Sequence, residues 1–242
     1  MSAPRCWAVL PAAGIGRRMG ADRPKQYLPL AGRTVIEHAI ARLLDHPRIA
    51  GAVVALAADD AHWASLPIAA APRLRTVAGG AERADSVLAA LDLLAADGAA
   101  ADDWALVHDA ARPCLRRADI DALLEACAAR TDDEDFSGAL LGLPVRDTMK
   151  RATADGRVAG TVEREHLWHA LTPQIFRLGA LRTALRESLA AGAAITDEAA
   201  AMQRVGHAPS LVEGREDNIK ITRPRDLALA ALYLSAQRGE KA

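Results

Sequence analysis

The sequence predicts an α/β fold, one doubly wound and mainly parallel sheet with helices on both faces. Short apolar runs alternate along the chain with segments of helical period, the pattern of strand and helix in such a sheet. Several of the runs end in glycine or acidic clusters, and ligands of open α/β sheets bind beyond the carboxyl ends of the strands. At 242 residues, 51% of them hydrophobic, the chain is long enough for one large domain with a sizeable core.

Taken in order, Cys6 to Leu10 (C-W-A-V-L) reads as a buried strand running into a glycine-rich loop. Thr34 to Arg42 opens with T-V-I-E, a capping box in which Thr34 and Glu37 satisfy each other's backbone donors, and Ile36, Ala39, Ile40 and Leu43 follow at helical spacing. Ala52 to Ala57 is a second strand and Leu74 to Val77 a short third. Between them Asp60 and His62 have a spacing that metal sites sometimes use, but at a helix start they read as a cap and a surface histidine. Asp85 to Ala95 is a helix through Val87, Leu88, Leu91 and Leu94. Trp104 to His108 is a fourth strand, and Ile120 to Ala129 a further helix.

From Gly138 the texture changes. Leu140 to Val145 is strand-like, whereas Asp147 to Arg164 lacks a helical period and contains Gly156 and Gly160. That stretch reads as a two-stranded arm, about residues 146–166, projecting from the sheet. Two strands are marginal alone, so the arm is expected to pack on a second copy of the chain, giving a homodimer. Helices resume at Leu178 to Leu189 and Thr196 to Arg204, residues 209–213 form a strand, and Thr222-Arg-Pro224 caps a closing helix to about Ala236. Without repeats or linkers, residues 1–242 are expected to form a single domain carrying that arm.

Thirty basic residues stand against 31 acidic ones, a net charge of −1, so no bulk attraction to nucleic acid or anionic membrane is expected and any anion binding is local. Cys6, Cys114 and Cys127 show no paired spacing, which argues against a disulfide framework. No apolar run has the length of a membrane span, and the N-terminus lacks a secretory pattern, so the expected compartment is the cytoplasm.

The chemistry concentrates in Leu10 to Gln26, L-P-A-A-G-I-G-R-R-M-G-A-D-R-P-K-Q. Gly14, Gly16 and Gly20 let the backbone turn and approach a ligand, and N–H groups exposed in such a turn form a nest for anions. Arg17, Arg18 and Lys25 add fixed positive charge, which suits a polyphosphate. A P-loop needs a Gly-Lys pair, which is absent. A dinucleotide fingerprint needs its third glycine one residue earlier than Gly20, and Asp59 and Asp60 lie too far on to act as its ribose acid. A second cluster, Gly79-Gly80-Ala-Glu-Arg83-Ala-Asp85-Ser86, and a third, His108-Asp109-Ala-Ala-Arg112-Pro113, also follow proposed strands, so all three converge on one edge. Taken singly, each reads as an ordinary turn or helix cap.

The string P-A-A-G-I-G-R-R-M-G followed by R-P-K-Q-Y resembles the signature loop of the 2-C-methyl-D-erythritol 4-phosphate cytidylyltransferases, nucleotidyltransferases of the non-mevalonate isoprenoid pathway. Further blocks match in order from Ala8 to about Tyr233: G-G-x-E-R-x-D-S, H-D-A-A-R-P, P-V-R-D-T-M-K-R, T-V-E-R, L-W-H-A-L-T-P-Q, T-D-E-A and D-N-I-K. The resemblance implies a Rossmann-like nucleotidyltransferase fold and a reaction that joins the phosphate of 2-C-methyl-D-erythritol 4-phosphate to the α-phosphorus of CTP, releasing pyrophosphate. It makes Arg18 and Lys25 the catalytic charge clamp. It gives Pro11, Ala12, Ala13, Gly14, Gly16, Gly79, Gly80, Arg83, Ser86 and Lys220 to the nucleotide, with Gly79, Gly80 and Ser86 on the cytosine. Arg112, Thr148, Arg164 and Thr196 go to the sugar phosphate, Arg164 reaching over from the neighbouring subunit. Asp109 becomes the ligand of Mg²⁺, with Mn²⁺ as the alternative ion, and His108 packs rather than reacts. Ala81 departs from the acidic residue that relatives often carry, at a point where contacts to the base are expected from backbone.

An ionised phosphate monoester needs no general base, so in-line attack with electrostatic stabilisation and no covalent intermediate is expected. This agrees with the lack of a nucleophile elbow or a Ser/His/Asp or Cys/His set. Two alternatives stay open: a cytidylyltransferase for another polyol phosphate such as ribitol 5-phosphate, and a non-catalytic nucleotide-sensing module on the same fold. Ala13 favours the methylerythritol substrate, since ribitol relatives tend to carry glycine there.

Overall fold

In the computed structural model, residues 3–14, 23–130, 133 and 136–239 are described. A seven-stranded sheet runs through the centre. Its strands are β1 (Cys6–Pro11), β4 (Ile49–Leu56), β5 (Leu74–Ala78), β6 (Trp104–Val107), β7 (Gly138–Pro144), β10 (Trp168–Arg177) and β11 (Ser210–Glu213), in the order β11-β7-β10-β6-β1-β4-β5. Every neighbouring pair is parallel except the two made by β10, which is antiparallel to both β6 and β7. A short hairpin, β2 (Pro29–Leu30) with β3 (Arg33–Thr34), leads into the first helix.

The alternation of side chains along the strands explains the two cores. Ala8 and Leu10 of β1 point to the face covered by α1 (Val35–Leu44) and α3 (Arg117–Ala128), with Ala52, Val54 and Leu106 beside them. Val9, Val53, Ala105 and Val107 point to the other face, where α2 (Arg83–Ala96), α4 (Leu178–Ala190) and α5 (Glu198–Arg204) pack. A third, smaller cluster seats α6 (Arg225–Gly239) through Ala230 and Leu234 against Leu30, Val35 and Ile221. The expected capping box opens α1: the N–H and hydroxyl of Thr34 both donate to Glu37 Oε2 at 2.8 Å, an arrangement worth about 1 kcal/mol. Asp60 caps as expected, Oδ1 accepting from the N–H groups of His62 and Trp63, each at 2.9 Å. His62 is half-buried against the Tyr27 ring, with centroids 5.0 Å apart.

The arm is a separate antiparallel pair, β8 (Met149–Ala152) with β9 (Val158–Val162), and nearly every residue of it is exposed. One strand of the central sheet, β10, has no counterpart in the sequence reading, nor does the short β2–β3 hairpin. From Leu171 to Phe176 β10 is buried on both faces, so no polar-apolar alternation marks it, and Pro173 reads as a strand breaker. The ladder accommodates the proline by a register shift: Ala170 pairs with Gly142 but Gln174 with Leu140. The helix α3 also begins at Arg117 rather than Ile120, because Asp119 Oδ2 takes the Arg116 N–H at 3.0 Å and caps the earlier turn. Among the described residues no helix is long and apolar enough to cross a membrane.

Candidate active site

Parallel strands β1, β5 and β6 deliver their following loops to one edge of the sheet, where they line a cavity of about 340 Å³ with Ala12, Ala13, Gly14, Gly80, Arg83, Ser86 and Asp109. The glycine requirement of the second loop is steric. A Cβ on Gly79 would sit 2.6 Å from the Ala13 Cβ and 2.7 Å from Ser86 Oγ, and one on Gly80 would sit 2.2 Å from the Asp85 Cβ. Ser86 is buried, its hydroxyl donating to Glu82 O and accepting from the Gly80 N–H, each at 3.2 Å, so it holds the turn in place.

A single 3-10 turn, Lys25–Tyr27, ties the surrounding loops together. Gln26 Nε2 donates to Ala12 O at 2.8 Å and to Gly14 O at 3.2 Å, the Tyr27 hydroxyl donates to Asp60 Oδ2 at 2.6 Å, and Lys25 Nζ donates to Ile221 O at 3.0 Å. The segment 217–221 arrives beside it because Asp217 is held by Arg116 at 2.7 Å and Asn218 donates from Nδ2 to Thr172 O at 2.8 Å.

Asp109 lies at the centre of the charge. Lys220 Nζ is 2.8 Å from Oδ2, Arg83 Nε 3.2 Å from Oδ1, and Arg112 Nε 3.5 Å from Oδ2. Burial alone would raise its pKa, but the neighbouring Arg83, Lys220 and Arg112 charges win and hold the carboxyl well below the ordinary carboxylate range. Arg83 is further oriented by a two-pronged pair with Glu198, Nη1 to Oε1 at 2.5 Å and Nη2 to Oε2 at 3.1 Å. Three cations facing two carboxylates leave the cluster positive before Lys25 is added, which suits a polyanion.

The same cluster walls a second cavity of about 270 Å³, lined also by Thr172, Gln174, Thr196 and Asp197. Arg83, Asp109 and Lys220 therefore face both spaces. His108 sits behind the wall, fully buried, with Nε2 3.0 Å from Arg112 O and Nδ1 3.0 Å from Thr172 Oγ1. A carbonyl only accepts, so Nε2 carries the proton, Nδ1 accepts from the Thr172 hydroxyl, and Thr172 Oγ1 accepts in turn from the Asp109 N–H at 3.1 Å. Burial pushes the His108 pKa down to about 4, in keeping with this neutral ring.

Of the residues singled out from sequence, Pro11, Ala12, Ala13, Gly14, Lys25, Gly80, Arg83, Ser86, Asp109 and Lys220 line the first cavity, and Arg112 and Thr196 line the second. Gly79 packs behind the first, against Ala13 and Ser86. Gly16 and Arg18 lie outside the described residues. Thr148 and Arg164 are exposed at the base of the arm, where its two strands enter and leave, and line neither cavity, and Arg164 Nη1 donates instead to Arg146 O. Sequence reasoning missed Gln26, Thr172, Gln174 and Glu198. Their partners lie up to 115 positions away, and no local spacing announces such pairs.

The matching comparisons agree with one another. A profile of the 2-C-methyl-D-erythritol 4-phosphate cytidylyltransferase family matches residues 6–236. The 2-C-methyl-D-erythritol 4-phosphate cytidylyltransferase of Ectopseudomonas mendocina (strain ymp) is 60% identical over 222 residues, 92% of each chain. The crystal structure of a 4-diphosphocytidyl-2C-methyl-D-erythritol synthase is similar with a TM-score of 0.81 at 35% identity, over 96% of this chain and 100% of its own. That of the Francisella tularensis 2-C-methyl-D-erythritol 4-phosphate cytidylyltransferase gives 0.78 at 32% identity, over 95% and 99%.

Proposed function

The chain belongs to the 2-C-methyl-D-erythritol 4-phosphate cytidylyltransferase family, and on that premise we propose that it transfers the cytidylyl group of CTP to 2-C-methyl-D-erythritol 4-phosphate, yielding 4-diphosphocytidyl-2-C-methyl-D-erythritol and pyrophosphate. The observation that carries this reading is the charged wall of Arg83, Asp109 and Lys220 between two cavities. The first cavity takes CTP, its base against the Gly79-Gly80 turn, where nothing protrudes and a base edge can meet backbone, and its phosphates against Ala12 to Gly14. The second takes the sugar phosphate, with Arg112 and Thr196 as its partners. The Arg112 guanidinium lines this cavity beside Asp109, with Nε 3.5 Å from Oδ2, and brings positive charge to an incoming anion.

A phosphate monoester has its second pKa near about 6, so the nucleophile arrives ionised and this chain has no proton to remove. What the residues must do is hold two anions in line and stabilise the charge that builds on the pentacoordinate phosphorus. That task falls in this reading to Lys25 and Arg18; the anchoring of Lys25 to Ile221 O, on the loop that carries Lys220, supports the part given to Lys25. A divalent ion would be held by Asp109, whose oxygens are engaged by Lys220, Arg83 and Arg112 and would have to release one of them to the ion. The carboxylate stays ionised and offers hard oxygens, while no group of three His, Cys, Asp or Glu that could hold a metal occurs among the described residues, so the phosphates would complete the shell. Such an ion, Mg²⁺ or Mn²⁺, would neutralise and orient the triphosphate.

Residues 1–242 act in this reading as one nucleotidyltransferase domain with an arm at about 146–166, through which two copies form a homodimer and exchange Arg164. Cys6, Cys114 and Cys127 are buried thiols outside any disulfide, which suits a reducing cytoplasm. Pyrophosphate release, followed with CTP, a divalent metal and 2-C-methyl-D-erythritol 4-phosphate, is expected to fall to background when any one is omitted. Equal turnover with ribitol 5-phosphate, or CTP binding without release, would replace this reading.

A further inference from the structure

Gln26 is 4% exposed and lines the first cavity without belonging to either charge cluster. Its carboxamide meets two backbone carbonyls, Ala12 O at 2.8 Å and Gly14 O at 3.2 Å. Carbonyls only accept, so both contacts are made by the NH₂ end, the one group able to donate twice. In a trans peptide the C=O and N–H point in opposite directions. Tying the Ala12 carbonyl to Gln26 therefore turns the Ala13 N–H the other way, and the Ala12 N–H is already spent on Ala55 O at 2.8 Å in the sheet. No described atom outside its chain neighbours lies within 4 Å of where a Gly14 Cβ would be. A carbonyl turned into this cavity would repel a phosphate, whereas an N–H turned into it attracts one.

We propose that Gln26 is the positioning residue of the nucleotide loop, sequestering the carbonyls of Ala12 and Gly14 so that this stretch offers donors rather than acceptors to the triphosphate of CTP. The proposal rests on the CTP reading above. Gln26 touches no reacting atom, and acts through the polarity of the backbone it holds.

The test is calorimetric titration of CTP into the wild-type chain, Gln26→Glu and Gln26→Met, at about pH 8 and about pH 6, with the KM of the sugar phosphate measured alongside. Both variants keep the length of the side chain and lose its paired donors. Gln26→Met is expected to bind CTP about tenfold to a hundredfold more weakly at either pH, the scale of leaving a buried acceptor unmet. Gln26→Glu is expected to lose as much near pH 8 and to recover part of it near pH 6, because burial facing two carbonyl oxygens raises the pKa of the carboxyl and lets part of it protonate and donate again. At saturating CTP the KM for the sugar phosphate should stay unchanged, which a general loosening of the fold would not allow. Wild-type CTP affinity in Gln26→Met, or equal losses for both substrates, would overturn the assignment. Should neither variant fold, a crystal structure of the wild-type chain with CTP decides: a carbonyl of Ala12 or Gly14 turned onto phosphate refutes it. CTP binding without pyrophosphate release in the wild type would defeat the functional reading while leaving this titration able to judge Gln26.

Discussion

His108 is locked between Thr172 and Arg112 as a neutral ring, and that protonation state has a thermodynamic consequence. An unfolded histidine titrates near 6.5, whereas burial holds this one at about 4. The folded pKa is depressed, so the stabilising contribution is whole above pH 6.5 and is lost as pH falls through about 4, below which both states are protonated. Its size is about 3 kcal/mol. Thermal melts across that window should therefore fall steeply for the wild type and less steeply for His108→Gln, which keeps a donor and an acceptor but has no such titration. Burial lowers the His38 pKa as well and tilts the melts in the same direction, so the difference between the two proteins is the quantity to read. Identical pH slopes would mean that His108 does not titrate as the hydrogen-bond chain requires. Asp109, with its pKa held down, contributes in the opposite pH sense from a raised group: its share persists above the carboxylate range and disappears only in stronger acid.

At the scale of elements, the arm and β10 present opposite problems of legibility. The arm was readable because Asp147 to Arg164 loses every period and gains two glycines, and the hairpin β8–β9 is what such a stretch can form. Met149 and Val158 stay exposed on it, 37% and 67%, which fits strands that bury their surface only on a second copy. If Arg164 serves the neighbouring site, then Lys25→Ala should cut turnover at least about a hundredfold, Arg164→Ala should also be impaired, and mixed dimers of the two should regain activity through the site that receives both native residues. Proven mixed dimers without rescue would keep Arg164 within its own chain. By contrast β10 left no trace in the pattern, since a strand buried on both faces with a proline inside it mimics neither the alternating nor the helical period. Yet it is β10 that carries Thr172 and Gln174 to the second cavity.

For the molecule as a whole, parallel strands made the site legible before its geometry was known. The loops after β1, β5 and β6 had to emerge on one edge, and residues as distant in sequence as Gly14, Gly80 and Asp109 could be assigned to one place on topology alone. Contacts that cross the molecule were not legible. Glu198 grips Arg83, Asn218 supports Thr172, and Gln26 staples the first loop, and each depends on packing that no local spacing encodes.

With CTP in one cavity and the sugar phosphate in the other, as proposed, the shared wall of Arg83, Asp109 and Lys220 would couple the two ligands, because neither would settle without altering the electrostatic surroundings of the other. Thermodynamic linkage then demands reciprocity. Whatever factor a non-reacting CTP analogue applies to the dissociation constant of the sugar phosphate, the sugar phosphate must apply to that of the analogue, and a factor of about 5 to 150 is the usual range. Titrating each in the absence and presence of the other measures it. Independent binding would show the partition to be inert, whereas synergy would make a single molecule bridging both chambers a far tighter ligand than either half alone.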